Sequence, residues 1–129
     1  MSGFWLIISG FFGMTAVGAG AYGWHSLGED ESTRQIFMMG VDYQMWHALA
    51  LVAVAWISAR PEFSSSRLPL LAGAGFSLGI LLFSGTLYLF ALMGYVLVEG
   101  AAPLGGYLMI TGWATLMVCG WKIRKMIHE

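Results

Sequence analysis

Charge is what this sequence lacks most. Six Lys and Arg and seven Asp and Glu occur among its 129 residues, 10% in all. A soluble domain of this size covers its surface with roughly a quarter charged residues, so a water-soluble globule is excluded. The deficit is also patterned. No charged side chain occurs from Met1 to Gly28, from Tyr43 to Ala59, from Leu68 to Val98, or from Gly100 to Trp121. Each stretch is near or above the ~20 apolar residues that carry a helix across a bilayer. The chain therefore reads as an all-α integral membrane protein, a four-helix bundle in one transmembrane domain spanning residues 1–129.

Other absences narrow the function. A single cysteine, Cys119, cannot close an internal disulfide, and no Cys-pair metal motif is present. It reads as a small buried hydrophobe. A net charge of -1 supplies no basic field, so no nucleic-acid partner is expected. The first apolar run lacks a basic segment before it and exceeds the ~7–15 residues of a signal-peptide core, so it reads as a span. No hydrophilic stretch is long enough to fold alone, which places any function in the spans or their short connections.

The expected spans cover about 4–24, 41–58, 69–97 and 104–121. Between the first two lies GEDESTRQIFMMGVD, where Glu29, Asp30 and Glu31 precede Ser32 and Thr33. Acidic and hydroxyl residues suit a helix start, and a short interfacial helix is expected there. Arg60, Arg67, Lys122, Arg124 and Lys125 fall on one side of the four spans. The other side holds Arg34 with Glu29, Asp30, Glu31, Asp42 and Glu99. By the positive-inside rule both termini are expected in the cytoplasm.

Glycine is plentiful, at 18 residues. Gly10, Gly13, Gly18, Gly20 and Gly23 line the first span, and Gly75 and Gly79 form a G-x-x-x-G pair in the third. Small residues let helices in lipid approach closely, so Gly75 and Gly79 are expected to pack helices within the chain, with a dimer face as the alternative. Trp24, Trp46, Trp113 and Trp121 are expected at interfaces or on helix surfaces. Met38, Met39 and Met45 read as flexible packing.

Polar side chains inside spans are the usual carriers of function. His25 closes the first span. Tyr43, Gln44 and His47 open the second and share one helix face by their i, i+3 and i, i+4 spacing. Ser84, Thr86 and Tyr88 lie in the same half of the third span, and Tyr107 and Thr111 in the same half of the fourth. A lone polar group facing lipid costs on the order of several kcal/mol. His25, Tyr43, Gln44, His47, Ser84 and Tyr88 are therefore expected to meet in one connected cluster in the outer half of the bundle.

Three uses of such a cluster stand open. It braces the helices; or it borders a pocket for a quinone, lipid or other amphiphile, with His47 or Tyr88 on the polar head; or His25 and His47 ligate haem from two sides. The haem reading lacks a Cys-x-x-Cys-His and a third strong ligand, so no cofactor or metal is predicted. No nucleophile with a base and an orienting partner emerges. The expectation is a non-enzymatic accessory or assembly subunit of a larger complex, surrounded by membrane lipids and joined to a membrane-protein partner or a second copy.

Four segments taken together carry a resemblance: AYGWHSLG, GVDYQMWHALAL, LFSGTLYLFAL and PLGGYLMITGW. In order and spacing the chain resembles the small inner-membrane family called domain of unknown function 423. Where that family has Gly-Ala-His, this chain has Gly23, Trp24 and His25. The resemblance implies a four-span fold in a bacterial inner membrane and supplies no reaction, substrate or cofactor.

Overall fold

A computed structural model describes residues 1–127. Helix α1 covers Ser2–His25, α2 Glu31–Ser58, α3 Leu68–Gly79, α4 Gly85–Met93 and α5 Ala101–Ile127. A wide π turn, Ile80–Ser84, joins α3 to α4 without a break, and a 3₁₀ turn, Pro61–Phe63, follows α2. With α3 and α4 counted as the single rod Leu68–Met93, four helices are long and apolar enough to cross a membrane. No strand occurs among the described residues.

Local chemistry sets the ends. The Asp30 carboxylate caps α2 by accepting the backbone N–H groups of Ser32 and Thr33, each at 3.3 Å, together with the Thr33 hydroxyl. That hydroxyl is the main reason the exposed Asp30 carboxyl titrates below its ordinary 3.8. Arg34 donates to the Leu27 and Gly28 carbonyls at 3.3 and 2.8 Å, tying down the α1–α2 connection.

The stretch expected as a separate interfacial helix is helical but runs without interruption into the second span. Gly40 does not break it, because tertiary packing uses the missing side chain. A Cβ there would stand 2.9 Å from the Tyr88 ring and 3.3 Å from the Ser84 carbonyl. The third span was expected to reach Leu97 and stops at Met93. Gly94 takes a left-handed φ of 79° and its N–H closes on the Phe90 carbonyl at 2.8 Å, which ends the helix.

Two seams and one central helix build the bundle. Antiparallel α1 and α2 are pinned by Ser9, whose hydroxyl donates to the Ala48 carbonyl at 2.8 Å. The α3–α5 seam is tighter. A Cβ on Gly75 would lie 2.8 Å from the Leu108 carbonyl, and one on Gly79 3.0 Å from that of Gly105. The G-x-x-x-G pair therefore packs helices within the chain. Between the seams α2 contributes Leu51 and Val54 to a core with Trp5, Phe12, Phe76, Ile80 and Met109. Cys119 is fully buried in a smaller cluster with Ile57 and Phe63 at the basic end.

Candidate functional site

Two polar assemblies flank α2 in the half of the bundle nearer the acidic end. The first is built on Gln44, which is 5% exposed. Its amide nitrogen donates to the Phe12 carbonyl at 2.9 Å and to the Thr15 hydroxyl at 2.8 Å, while its oxygen accepts from Tyr88 at 2.7 Å. Thr15 in turn donates to the Phe11 carbonyl at 2.9 Å. One side chain thus ties α1, α2 and α4, and no arm of it is free.

The second assembly is built on His47, 4% exposed. Its Nε2 lies 3.1 Å from the indole nitrogen of Trp113, and its Nδ1 lies 2.6 Å from the Tyr43 carbonyl. An indole N–H only donates. Nε2 must therefore accept, the proton sits on Nδ1, and Nδ1–H donates to the carbonyl. The imidazole is neutral, with both nitrogens engaged. The rings of Tyr43, Phe76 and Trp113 enclose it at centroid distances of 5.9, 5.6 and 5.9 Å.

Of the six cluster residues expected from sequence, the structure joins Gln44 to Tyr88 and sets Tyr43 against His47. The two pairs belong to separate assemblies on different faces of α2. Ser84 is fully buried in the π turn, and its hydroxyl has no partner among the described residues. His25 is exposed at the end of α1 and bonds to none of the other five. Sequence reasoning missed Thr15 and Trp113. Trp113 carried a usable signal, since it lies mid-span rather than at an end where aromatic belts form. The hydroxyls of Thr86, Thr111 and Thr115 bond back to carbonyls one turn earlier. Among the described residues no three His, Cys, Asp or Glu side chains converge as a metal site.

Beside the His47 assembly a groove of about 670 Å³ opens between α2 and α5, bordered by Tyr43, Trp46, His47, Phe83, Gly106 and Trp113. Among the polar groups there, the Tyr43 hydroxyl and the Trp46 indole N–H have no hydrogen-bond partner among the described residues. Beside the Gln44 assembly the cleft is smaller, about 300 Å³.

Asp42 lies next to both assemblies but on the outside of the bundle, exposed. The ion pairs of the described residues are Arg34–Glu31 and Arg60–Glu62, and neither includes it. Its depth follows from its neighbours. A Cβ on Gly20 of α1 would touch Val41, which sets Asp42 roughly 7 Å below the helix end at His25, at ~1.5 Å per residue. On α5 the same level is that of Gly105, which meets Phe83, the ring packed on Tyr43. Gly105 lies roughly 6 Å inside the start of α5 by the same rise. The carboxylate is thus exposed on the outside of the bundle, inward of the helix ends at His25 and Ala101.

The profile described as Protein of unknown function (DUF423) matches residues 19–106. The chain belongs to this family. It is 33% identical to the UPF0382 membrane protein YwdK of Bacillus subtilis over 119 residues, covering 91% of this chain and 95% of that one. A UPF0382 membrane protein of Staphylococcus saprophyticus is 33% identical over 120 residues, covering 92% and 97%. One from Schizosaccharomyces pombe is 36% identical over 119 residues, covering 86% and 96%. No solved structure matches. These relatives are named as membrane proteins, with no enzymatic name. This DUF423 chain, with four helices long and apolar enough to cross a membrane, is a multi-pass membrane protein.

Proposed function

We propose that this protein is a non-enzymatic accessory subunit of a larger complex in the bacterial cytoplasmic membrane, with its basic end and both termini in the cytoplasm. Asp42 carries the reading. A carboxylate at the middle of a spanning helix costs roughly 2.5–3.5 kcal/mol to insert and less toward the edge. Its short side chain reaches water poorly from ~6 Å depth at ~1.5 Å rise per residue. A cation on a neighbouring helix removes that cost. A second copy is a poor source, because the acidic end holds one cation, Arg34, already engaged with Glu31 and two carbonyls. The partner is therefore a different membrane protein with a Lys or Arg just inside the same end of a span. The interior agrees with a non-enzymatic role, since Gln44 and His47 spend every polar atom on helix contacts.

A photo-crosslinking residue in place of Trp46, one turn from Asp42, tests this in cells. The expected result is capture of one membrane protein with a cation at that depth, lost in Asp42→Asn and restored when charges are exchanged between the two chains. Equal capture by Asp42→Asn, or only monomer after gentle extraction, overturns the reading. A reporter fused to the C-terminus tests the orientation. The groove between α2 and α5 favours a second role, amphiphile binding, beside the Asp42 face and compatible with the first.

A further inference from the structure

Two adjacent glycines on α5 make opposite uses of the same absence. A Cβ on Gly105 would fall 2.5 Å from the Phe83 backbone nitrogen, so that glycine is required by packing. A Cβ on Gly106 would meet nothing within 4 Å. Glycine is the poorest helix former after proline, so Gly106 weakens α5 and gains no packing in return. What Gly106 does provide is the floor of the groove between α2 and α5.

That groove has a definite chemistry. At about 670 Å³ it falls within the size range of small-molecule sites. Trp46, Trp113 and Phe83 wall it with aromatic faces, and no charged residue lines it. His47 reaches it as a neutral imidazole with both nitrogens engaged. Two polar groups in it are uncommitted among the described residues, the Tyr43 hydroxyl and the Trp46 indole N–H, and both can donate to a carbonyl. The opening faces lipid, flanked by Ile110 and Leu49, which are 64% and 62% exposed. A phospholipid headgroup would bury phosphate and amine charges here without partners. A bare acyl chain would leave the Tyr43 hydroxyl unused.

We propose that the groove binds a neutral, flat, carbonyl-bearing ring on an apolar tail, of which a quinone is the type. The ring stacks on the aromatic wall, a carbonyl accepts from the Tyr43 hydroxyl, and the tail leaves past Leu49 and Ile110 into the bilayer. Electron transfer forms no part of the proposal. The site does not depend on the Asp42 partner.

The test uses the full chain in phosphatidylcholine nanodiscs titrated with decylubiquinone, read by tryptophan fluorescence quenching and by thermal shift. Saturable binding is expected. Tyr43→Phe weakens it roughly three- to tenfold, the value of one hydrogen bond. Gly106→Leu fills the groove and abolishes saturation, while Gly18→Leu, at an exposed glycine of α1 with equally free surroundings, leaves it unchanged. Ile110→Trp obstructs the same opening from an exposed position and keeps the test alive if Gly106→Leu folds badly. Linear, unsaturable quenching, or full binding by both groove-filling variants, overturns the site. Loss in those variants with no effect of Tyr43→Phe overturns the ring assignment and leaves a groove for hydrocarbon alone. Asp42→Asn is expected to bind normally, which separates this proposal from the subunit reading.

Discussion

The two faces of α2 solve one problem with different outcomes. On the α1 and α4 side, Gln44 satisfies Phe12, Thr15 and Tyr88 and the helices leave only a smaller cleft beside it. On the α5 side, His47 is satisfied as fully, by Tyr43 and Trp113, yet the helices part and leave a groove. Complete hydrogen bonding of a polar group in lipid therefore says nothing about whether a site lies beside it. The signs of a site are the polar groups without a partner, at Tyr43 and Trp46, and the side chain missing without a packing reason, at Gly106.

The sharpest way to break this contrast is on α5 itself. Gly105→Leu is expected to cost about 3 kcal/mol or more, because backbone rather than a movable side chain blocks the new Cβ. Gly106→Leu, one residue on, is expected to leave stability unchanged or raise it. Reversible unfolding in mixed micelles reads both, and equal losses would mean that the groove is closed in the folded protein.

On the other face, Gln44→Leu removes three hydrogen bonds. At ~0.6 kcal/mol per bond in lipid the same assay should record a loss of about 2 kcal/mol. Trp113→Phe removes one, for about 0.6 kcal/mol. Because the two assemblies share no partner, the double variant should equal the sum of the singles within about 0.5 kcal/mol. Strong coupling would show the two assemblies to be one network.

The smallest effect concerns the cap of α2. Asp30 is held below its ordinary 3.8 chiefly by the Thr33 hydroxyl. A depressed carboxyl stabilises the folded form fully above its unfolded value and loses that contribution as pH falls through the lower, folded one. Amide exchange at Ser32 and Thr33 should therefore quicken only below about pH 3.8. Asp30→Asn, which also caps, should remove the pH dependence.

Depth was legible in the sequence and rotation was not. Runs without charge located the spans, and the i, i+4 glycines announced the α3–α5 seam. Gln44 of the second span meets Tyr88 of the third, as two of the six grouped residues. Whether Gln44 and His47 share partners depends on where the neighbouring helices sit around α2, and one sequence does not encode that in any readable period. Trp113 is a case in point. Its composition says interface aromatic, whereas its hydrogen bond to His47 depends on the azimuth of α5. His25 was misjudged for the opposite reason, since a residue at a helix end is free to turn away from its neighbours. Backbone hydrogen bonding lies still further from sequence, and nothing in ILLFS announces a π turn.

That turn has a mechanical meaning. Phe76, Ile80, Ser84 and Tyr88 step along the third span every four residues, and all four point inward. In an ordinary α-helix, at 3.6 residues per turn, such a row would slip about 40° at each step and wind away from α2. The extra residue taken up between Ile80 and Ser84 works as a vernier, resetting the phase midway through the membrane. Without it, the glycines could mesh with α5 or Tyr88 could reach Gln44, but the same straight rod could not do both.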